Sequence, residues 1–490
     1  MRAMVTGRLK IAAALVLGMG VLAGGGGRTS GPAAGEPAAT GTVEVKPPYQ
    51  DDPAIVKLLA DLGDNAGAYL PPTKSEGKGM ELVPGFAKSG PKVRDYGNKL
   101  AYAPDRQTAM YCGANHGVPH RLNDASEYHL GSNTWHLLCP PGTDATRLRG
   151  LQNEAKKFSD AIAKGTDVEK NQAELEKVRA QMKAWYQGVE VKDGYLQDKA
   201  NGGPVEPWHT WDGLTYDENA RRLCWAVLDS DNFKDERNRV HRLLTRRYAE
   251  ATGQDAEKLL AQLKPGSSMY LYDPAKGRWF RQLGEGPFPM MRGMGGSLIY
   301  IPELKKTVWY CAAQNVSPND FAMWAYDSAA NAWTDLKPNG GKNIMGLVHT
   351  DKVAPGSEVQ MAYSPKHRKL VAVLDKDTFV YDVAANAWSK ACADERNKAL
   401  DSSTVFAYDS VGDVFLLLNA PKGQWDLERE LRAFSLTANQ WATLEPKGGT
   451  VQRREYCGTA GYYDTAHNVL VVYNSTERVW VYRYKKAGKK

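Results

Sequence analysis

The sequence predicts an all-β fold, a six-bladed β-propeller of four-stranded antiparallel blades with helical hairpin insertions on one face. The first observation is a recurring hairpin, in which Tyr-Asp is followed by a polar turn and a Trp. Its copies lie at residues 272–279, 326–333 and 381–388, with weaker ones at 128–135 and 434–441. From the first of these three onward, successive Trp residues are 54, 55 and 53 positions apart. A fixed period of that size is typical of a propeller or a solenoid.

The second observation is a unit that reads as an apolar strand, a polar turn and another apolar strand. Six copies occur, at residues 100–112, 214–227, 298–311, 361–374, 406–418 and 461–473. Each blade needs two hairpins, and one copy of each unit supplies them, so six copies predict six blades. The alternative is an array of β-sandwiches, which fits the regular period less well.

The Tyr-Asp…Asn-x-Trp hairpin resembles that of the kelch-repeat β-propeller family and of the related galactose-oxidase-like propellers. The resemblance covers residues 80–484 and implies the propeller fold. The family's Gly-Gly pair after the second strand is replaced here by Cys-Gly, Leu-Asp or Cys-Ala. Copper-radical oxidation, known from a relative of this fold, needs a Tyr–Cys cross-link and two His. No motif places those residues together, so this activity is not expected.

Closure of the ring is also predicted from the sequence. The last copy ends in a third strand, residues 478–484, and no fourth strand follows. Near the other end of the chain, Leu82-Val83-Pro84 matches the Leu-x-Pro that ends two fourth strands, at 336–338 and 444–446. We therefore expect residues 80–84 to complete the final blade and to cover its exposed edge.

The segments outside the repeats predict export. Residues 1–23 have three basic residues and then a short apolar run, as in a signal peptide, with an uncleaved anchor as the alternative. Residues 24–79 are expected to form a flexible tether with a short helix, and residues 485–490 a basic tail. The predicted location is secreted or periplasmic, in a bacterial cell envelope.

Composition excludes several classes of function. The formal charge of +7 falls to +4 without the three leader charges (60 basic against 56 acidic residues), which is too weak to indicate a nucleic-acid partner. No long uncharged apolar run follows the leader, so no transmembrane domain is expected in the mature chain. The six Cys include no CxxC pair, and they could form disulfides or remain buried thiols. No cofactor or metal motif is present, so neither is predicted.

Two insertions interrupt the β pattern. Residues 144–187 have apolar residues at helical and heptad spacing, which predicts a coiled-coil-like helical hairpin, and residues 234–263 predict a second helical insert. The first lies between two blades and the second between the second and third strands of a blade. Because strands alternate in direction, both should emerge on one face. The alternative to a functional role is that the inserts only pack against each other.

Three arginines are candidates for ligand binding on that face. Arg94, Arg292 and Arg454 each precede an inner strand by a similar distance, so they should surround the mouth of the central channel. Two histidines, His209 and His349, precede other inner strands and could join them. Guanidinium groups suit carboxylate, sulfate or phosphate ligands. The alternative is that an arginine repeated at this position bonds neighbouring loops, as is common in kelch repeats.

A further histidine pair lies in the loop after the second strand of the first blade. His116 and His120 have the i, i+4 spacing of helical metal ligands, but Gly117 and Pro119 disfavour a helix there. No third ligand is identifiable, so a metal is not predicted and both residues are kept as ligand-binding candidates.

The function that these features predict is that of an exported binding module. Its partner would be an acidic protein segment or an anionic glycan, held by the loop-built face. One alternative is a carbohydrate-active or related enzyme that uses the same face, and another is a structural envelope component. A carboxylate or Tyr with a shifted pKa beside the arginines would favour the enzyme.

Overall fold

The fold was analysed in a computed structural model. The described residues are 47–94, 99–113, 121–207, 210, 212–227, 239–284, 286–289, 296–310, 323–340, 360–374, 376–399, 404–419, 429–451, 459–474 and 476–488. Within them, most regular structure is β, arranged in six sheets of four or five strands and one two-stranded ribbon. The prediction of a mostly β fold is therefore confirmed.

The N-terminal part of the described chain contains both helix and strand. Its elements are α1 (Pro53–Asp61), β1 (Ala66–Pro72), β2 (Lys74–Glu76), a 3-10 turn (Met80–Leu82) and α2 (Phe86–Ser89). Helix α1 begins where the Asp52 carboxylate accepts a hydrogen bond from the Ala54 amide and where Pro53 occupies the first turn. Both features are typical of helix starts.

The first two sheets hold the insertions. Sheet 1 comprises β3 (Ala101–Ala103), β4 (Thr108–Cys112), β5 (Ala125–His129) and β6 (Thr134–Cys139), with β2 parallel to β6. A 3-10 turn (Leu130–Ser132) joins β5 to β6. The first insertion comprises α3 (Ala145–Ala163), α4 (Val168–Tyr186) and the ribbon β7 (Val189–Lys192) with β8 (Tyr195–Asp198). Sheet 2 comprises β9 (Leu214–Asp217), β10 (Arg222–Ala226), β11 (Gly266–Asp273) and β12 (Arg278–Leu283), and α5 (Arg239–Thr252) and α6 (Ala256–Leu260) lie between β10 and β11.

The other four sheets follow in chain order. Sheet 3 comprises β13 (Ser297–Ile301), β14 (Lys306–Tyr310), β15 (Trp324–Asp327) and β16 (Ala332–Asp335). Sheet 4 comprises β17 (Gln360–Ser364), β18 (Lys369–Leu374), β19 (Asp377–Asp382) and β20 (Ala387–Ala393), followed by a 3-10 turn (Glu395–Ala399). Sheet 5 comprises β21 (Val405–Asp409), β22 (Val414–Asn419), β23 (Glu430–Ser435) and β24 (Gln440–Leu444). Sheet 6 comprises β25 (Ala460–Asp464), β26 (Val469–Tyr473), β27 (Arg478–Arg483) and the N-terminal β1.

Neighbouring sheets meet through their first strands. The contacts run from β3 to β9, β13, β17, β21 and β25 in turn, and β25 also contacts β3. The first strands are therefore innermost, and the sheets are arranged as in a propeller. Antiparallel pairing then sends the insertions, and every connection between a second and third strand, to one side, which we call the insert-bearing face.

The repeated hairpin residues bond one sheet to the sheet before it. Asn386 lies in the left-handed region (φ 48°), accepts a 2.7 Å hydrogen bond from the Tyr381 hydroxyl and donates a 2.7 Å bond to the Leu336 carbonyl of sheet 3. The rings of Tyr381 and Trp388 pack with centroids 5.2 Å apart. Asn tolerates this backbone conformation better than most residues. The repeated residues therefore stabilise contacts between sheets as well as the turn itself.

The strand that closes sheet 6 is not the one predicted. Residues 80–84 were expected to pair with the last strand, but β1 pairs with β27 instead. The Leu-x-Pro resemblance was misleading, because Met80–Leu82 forms a 3-10 turn and Leu82 is 53% exposed. In the structure, Gly67 of β1 packs closely against the Trp480 ring of β27, the strand with which β1 pairs. Residues 66–76 are thus strand rather than flexible tether.

Both predicted helical inserts are present in the described residues, and they pack together. Leu148 of α3, Tyr186 of α4 and Leu244 and Tyr248 of α5 share one buried apolar cluster. The rings of Tyr186 and Tyr248 lie 6.1 Å apart. The apolar stripes of the helices therefore serve packing, and their polar faces are left for solvent or a partner.

Two further features concern the described residues alone. No helix among them is long and apolar enough to cross a membrane. The thiols of Cys112, Cys139, Cys224 and Cys392 are free, and the first three are buried. Cys311 and Cys457 lie outside the described residues.

Candidate functional site

Arg94 is buried beside sheet 1, and each nitrogen of its guanidinium donates to an internal acceptor. Its guanidinium donates two 2.9 Å hydrogen bonds to the Asp124 carboxylate and others to the carbonyls of Gly113 and Lys92, at 3.1 and 3.0 Å. Both side chains are 0% exposed. Burial raises the pKa of Asp124, and the Arg94 charge opposes that shift. The guanidinium therefore faces internal acceptors rather than a ligand, which corrects the expected place of Arg94 at the channel mouth.

The other predicted site residues lie outside the described residues. They are Arg292, Arg454, His209, His349, His116 and His120. In the sequence, His209 is three positions before Asp212 and Arg292 is five before Ser297, and both of those later residues are described. The predictions for the six residues stay predictions.

A polar cluster lies where three inner strands begin on the insert-bearing face. We call Lys99, Asp212 and Ser297 the inner-strand cluster. The Lys99 ammonium lies 2.9 Å from the Asp212 carboxylate, and it donates a 2.8 Å bond to the Leu298 carbonyl. The Ser297 hydroxyl donates to the same carboxylate. The cluster thus joins the first strands of sheets 1, 2 and 3.

One carboxyl group of the cluster, that of Asp212, has a pKa close to neutral pH. Burial raises the pKa of Asp212 to about 6, although the Lys99 charge and the hydrogen bonds from Ser297 and Lys99 lower it. The side chains of Lys99 and Asp212 are 16% and 5% exposed. A carboxyl with such a pKa can exchange a proton at neutral pH, as a general acid or base must. Sequence patterns missed it, because Lys99 and Asp212 are 113 residues apart.

Asp212 should make the free energy of unfolding fall as the pH rises from about 4 to about 6. In that range the folded carboxyl keeps its proton, whereas an unfolded Asp releases it near about 3.9. The folded state binds more protons there, so the loss is on the order of 3 kcal/mol. Urea unfolding of wild type and Asp212→Asn tests this: the difference between the two should decline with pH and then level off. A difference that stays flat or rises would contradict it.

A second polar cluster lies among the insertions. We call Glu206, Arg247, Arg149, Arg121 and Gln152 the Glu206 cluster. Arg247 lies 3.7 Å from the Glu206 carboxylate, which also accepts a 3.5 Å bond from Gln152. Burial raises the pKa of Glu206, while the charges of Arg247, Arg121 and Arg149 lower it. Arg247 therefore pairs with a carboxylate that is only 12% exposed, and the charges of two further arginines act on it.

No metal-binding group is evident in the part of the chain that the structure describes. Nowhere in it do three or more His, Cys, Asp or Glu side chains come together in a way that could hold an ion. What the insert-bearing face offers chemically is an excess of cationic donors together with a carboxyl that titrates near neutral pH.

Comparisons with known proteins give only weak structural likenesses. No family model and no curated protein matches the chain. An auxiliary nutrient binding protein from Bacteroides ovatus ATCC 8483 is 8% identical, with 85% of this chain and 76% of that chain covered and a TM-score of 0.39. An oligogalacturonate lyase in complex with manganese is 10% identical, covering 81% and 78%, with a TM-score of 0.37. TolB from Acinetobacter baumannii is 10% identical, covering 85% and 96%, with a TM-score of 0.28. At these values the likenesses carry no argument about function.

Proposed function

We propose that this chain is an exported, six-bladed kelch-like propeller that binds an anionic ligand through its insert-bearing face. The six-bladed ring is supported by the contacts between successive inner strands and by the repeated Tyr, Asn and Trp of the hairpins. Export to the periplasm or the medium is supported by the signal-like residues 1–23.

The observation that carries the binding proposal is the distribution of charge. Helix α3 has two net positive charges, α4 has one and α5 has three, whereas α6 is neutral. These helices together hold six, so the rest of the mature chain, at +4 overall, is net negative by two. A basic layer such as that on α3 and α5 attracts anions and orients their approach.

Arg247 extends this basic layer toward the sheets, and it pairs with Glu206 at 3.7 Å. Arg121 is buried and contributes only to the charge around Glu206. We propose that Arg292 and Arg454, with His209 and His349, continue the surface over the ends of the inner strands. His116 and His120 would contribute from the loop that follows β4. Arg94 has no part in this surface, because its side chain is 0% exposed and pairs with Asp124.

Neutralising charge on α5, where Arg246 is exposed and Arg242 is half-buried, tests the proposal. We expect Arg242→Gln with Arg246→Gln to weaken binding of a labelled Glu-rich peptide about threefold, which corresponds to about 0.7 kcal/mol. Fluorescence anisotropy at low ionic strength measures this, because screening weakens surface charge effects. The matched control is Lys276→Gln with Lys305→Gln, in turns on the opposite face, and it should bind as wild type does. An equal loss of affinity in both variants, or no binding by wild type, would contradict the proposal.

An enzyme that uses the same face is a second candidate, because Asp212 has the shifted pKa that such a site needs. In that case Asp212→Asn would abolish turnover of an anionic substrate and leave its binding intact. A binding module has no turnover to lose, so a screen for hydrolysis or elimination on anionic oligosaccharides separates the two candidates.

A further inference from the structure

We propose that one face of α3 is the docking site for an extended acidic protein segment that lies along the helix. This rests on the proposed function and names the partner and its place. The α3 stripe consists of Arg149, Lys156, Lys157 and Lys164, which are all exposed. Their spacing of seven, one and seven residues puts them on one side of the helix. The opposite side carries Leu148 and Leu151, which are buried.

The positive charge of the stripe is largely uncompensated. Lys156 pairs with Asp160 at 2.7 Å, and both side chains are exposed. Lys157 and Lys164 make no ion pair with any residue that the structure describes, whereas the charge of Arg149 also acts on the Glu206 carboxylate. Two lysines are thus fully available to a partner, and Arg149 is shared with Glu206.

The stripe residues themselves border a shallow depression. An open depression of about 480 Å³ is lined by Asn153, Lys156, Lys157, Asp160, Lys164 and Thr166. Amide and hydroxyl groups therefore lie between the ammonium groups. A peptide backbone can bond to such neutral donors and acceptors, while its carboxylates meet the lysines.

The dimensions fix the size of the ligand. Arg149 and Lys164 are 15 residues apart, which is about 22 Å along a helix. An extended peptide covers that distance with about seven residues. Binding should therefore strengthen with peptide length up to about seven or eight residues and then level off.

A peptide fits the stripe better than a glycan does. Sugar-binding sites commonly cover the apolar face of a pyranose ring with an aromatic side chain. The one aromatic residue of α3, Phe158, has the Lys157 ammonium over its ring, 6.0 Å from the ring centroid, so this face of the ring is already covered.

The test compares Glu-rich peptides of four, eight and twelve residues on the full mature chain, by anisotropy. Wild type should bind the eight-residue peptide about tenfold more tightly than the four-residue one, and the twelve-residue peptide little better. The variant Lys156→Gln, Lys157→Gln, Lys164→Gln should lose this dependence on length. The matched control, Lys170→Gln, Lys177→Gln, Lys183→Gln, changes the same charge on α4 and should lose no more than about twofold, through long-range attraction alone.

Each outcome has a distinct meaning. Equal effects of the α3 and α4 variants would overturn the docking site and leave the proposed function standing. Binding that does not depend on length in wild type would overturn it too. A uronate oligosaccharide that binds more tightly than the peptides, through the same lysines, would overturn the assignment to protein. Circular dichroism and thermal melting check that the variants keep their helices, since all the replaced side chains are exposed.

Discussion

Replacing Arg94 with Ala should lower the free energy of unfolding by about 3–5 kcal/mol. The change removes a guanidinium that bonds to Asp124, Gly113 and Lys92, and it leaves the Asp124 carboxylate buried without its counter-charge. Urea unfolding at neutral pH measures the loss. Arg246→Ala is the control, because its ion pair with Glu257 is 3.7 Å long and more than half exposed, and such pairs contribute about 1 kcal/mol at most.

A double variant distinguishes the cost of losing the ion pair from the cost of leaving the Asp124 carboxylate buried without a partner. In Arg94→Met with Asp124→Leu, no charge remains buried, so most of the stability should return. A loss under about 1 kcal/mol for Arg94→Ala would contradict the account of this arginine as a structural residue. So would a double variant that is no more stable than the single one.

Replacing Gly67 with Val should destabilise the fold by about 3 kcal/mol, at the upper end of what overpacking costs. A Cβ at this position would lie 2.5 Å from the Trp480 ring and 3.0 Å from the Gly449 carbonyl. Trp480 is 1% exposed, so it has little room to move. The side chain would therefore push β1 away from β27 and break the pairing that completes sheet 6.

The control for Gly67 is on the same strand. Ala68 is exposed, and Ala68→Val should change the free energy of unfolding by no more than about 0.5 kcal/mol. Thermal unfolding followed by circular dichroism compares the two variants. Equal stability of the Gly67 and Ala68 variants would show that β1 does not close sheet 6.

The repeats could be recognised in the sequence because the same positions must satisfy two requirements, the backbone conformation of a turn and a bond to the neighbouring sheet. Asn386 must adopt a left-handed backbone and also bond to the neighbouring sheet, so the residue recurs at its place in the hairpin. The helical inserts were readable from apolar periodicity. The closing strand was not, because β1 is rich in Ala, Gly and Pro, and what selects it is the fit of Gly67 against Trp480, which is far away in the sequence.

The candidate site was less predictable from the sequence. Arg94 was singled out by its position in the repeat, but the sequence could not show that Asp124, 30 residues later, would use its donors. Lys99 and Asp212 come together only because two inner strands become neighbours in the ring. The Glu206 cluster likewise depends on packing between two insertions. Contacts of this kind have no local sequence signal.

The most direct test of the central claim, that the insert-bearing face binds the ligand, is hydrogen exchange with and without an eight-residue Glu-rich peptide. A bound ligand slows the exchange of backbone amide hydrogens in segments whose local unfolding it opposes. The account predicts slower exchange in α3 and α5, with no change in the turns on the opposite face at residues 274–277 and 302–305. Protection in those turns, with α3 and α5 unchanged, would contradict it.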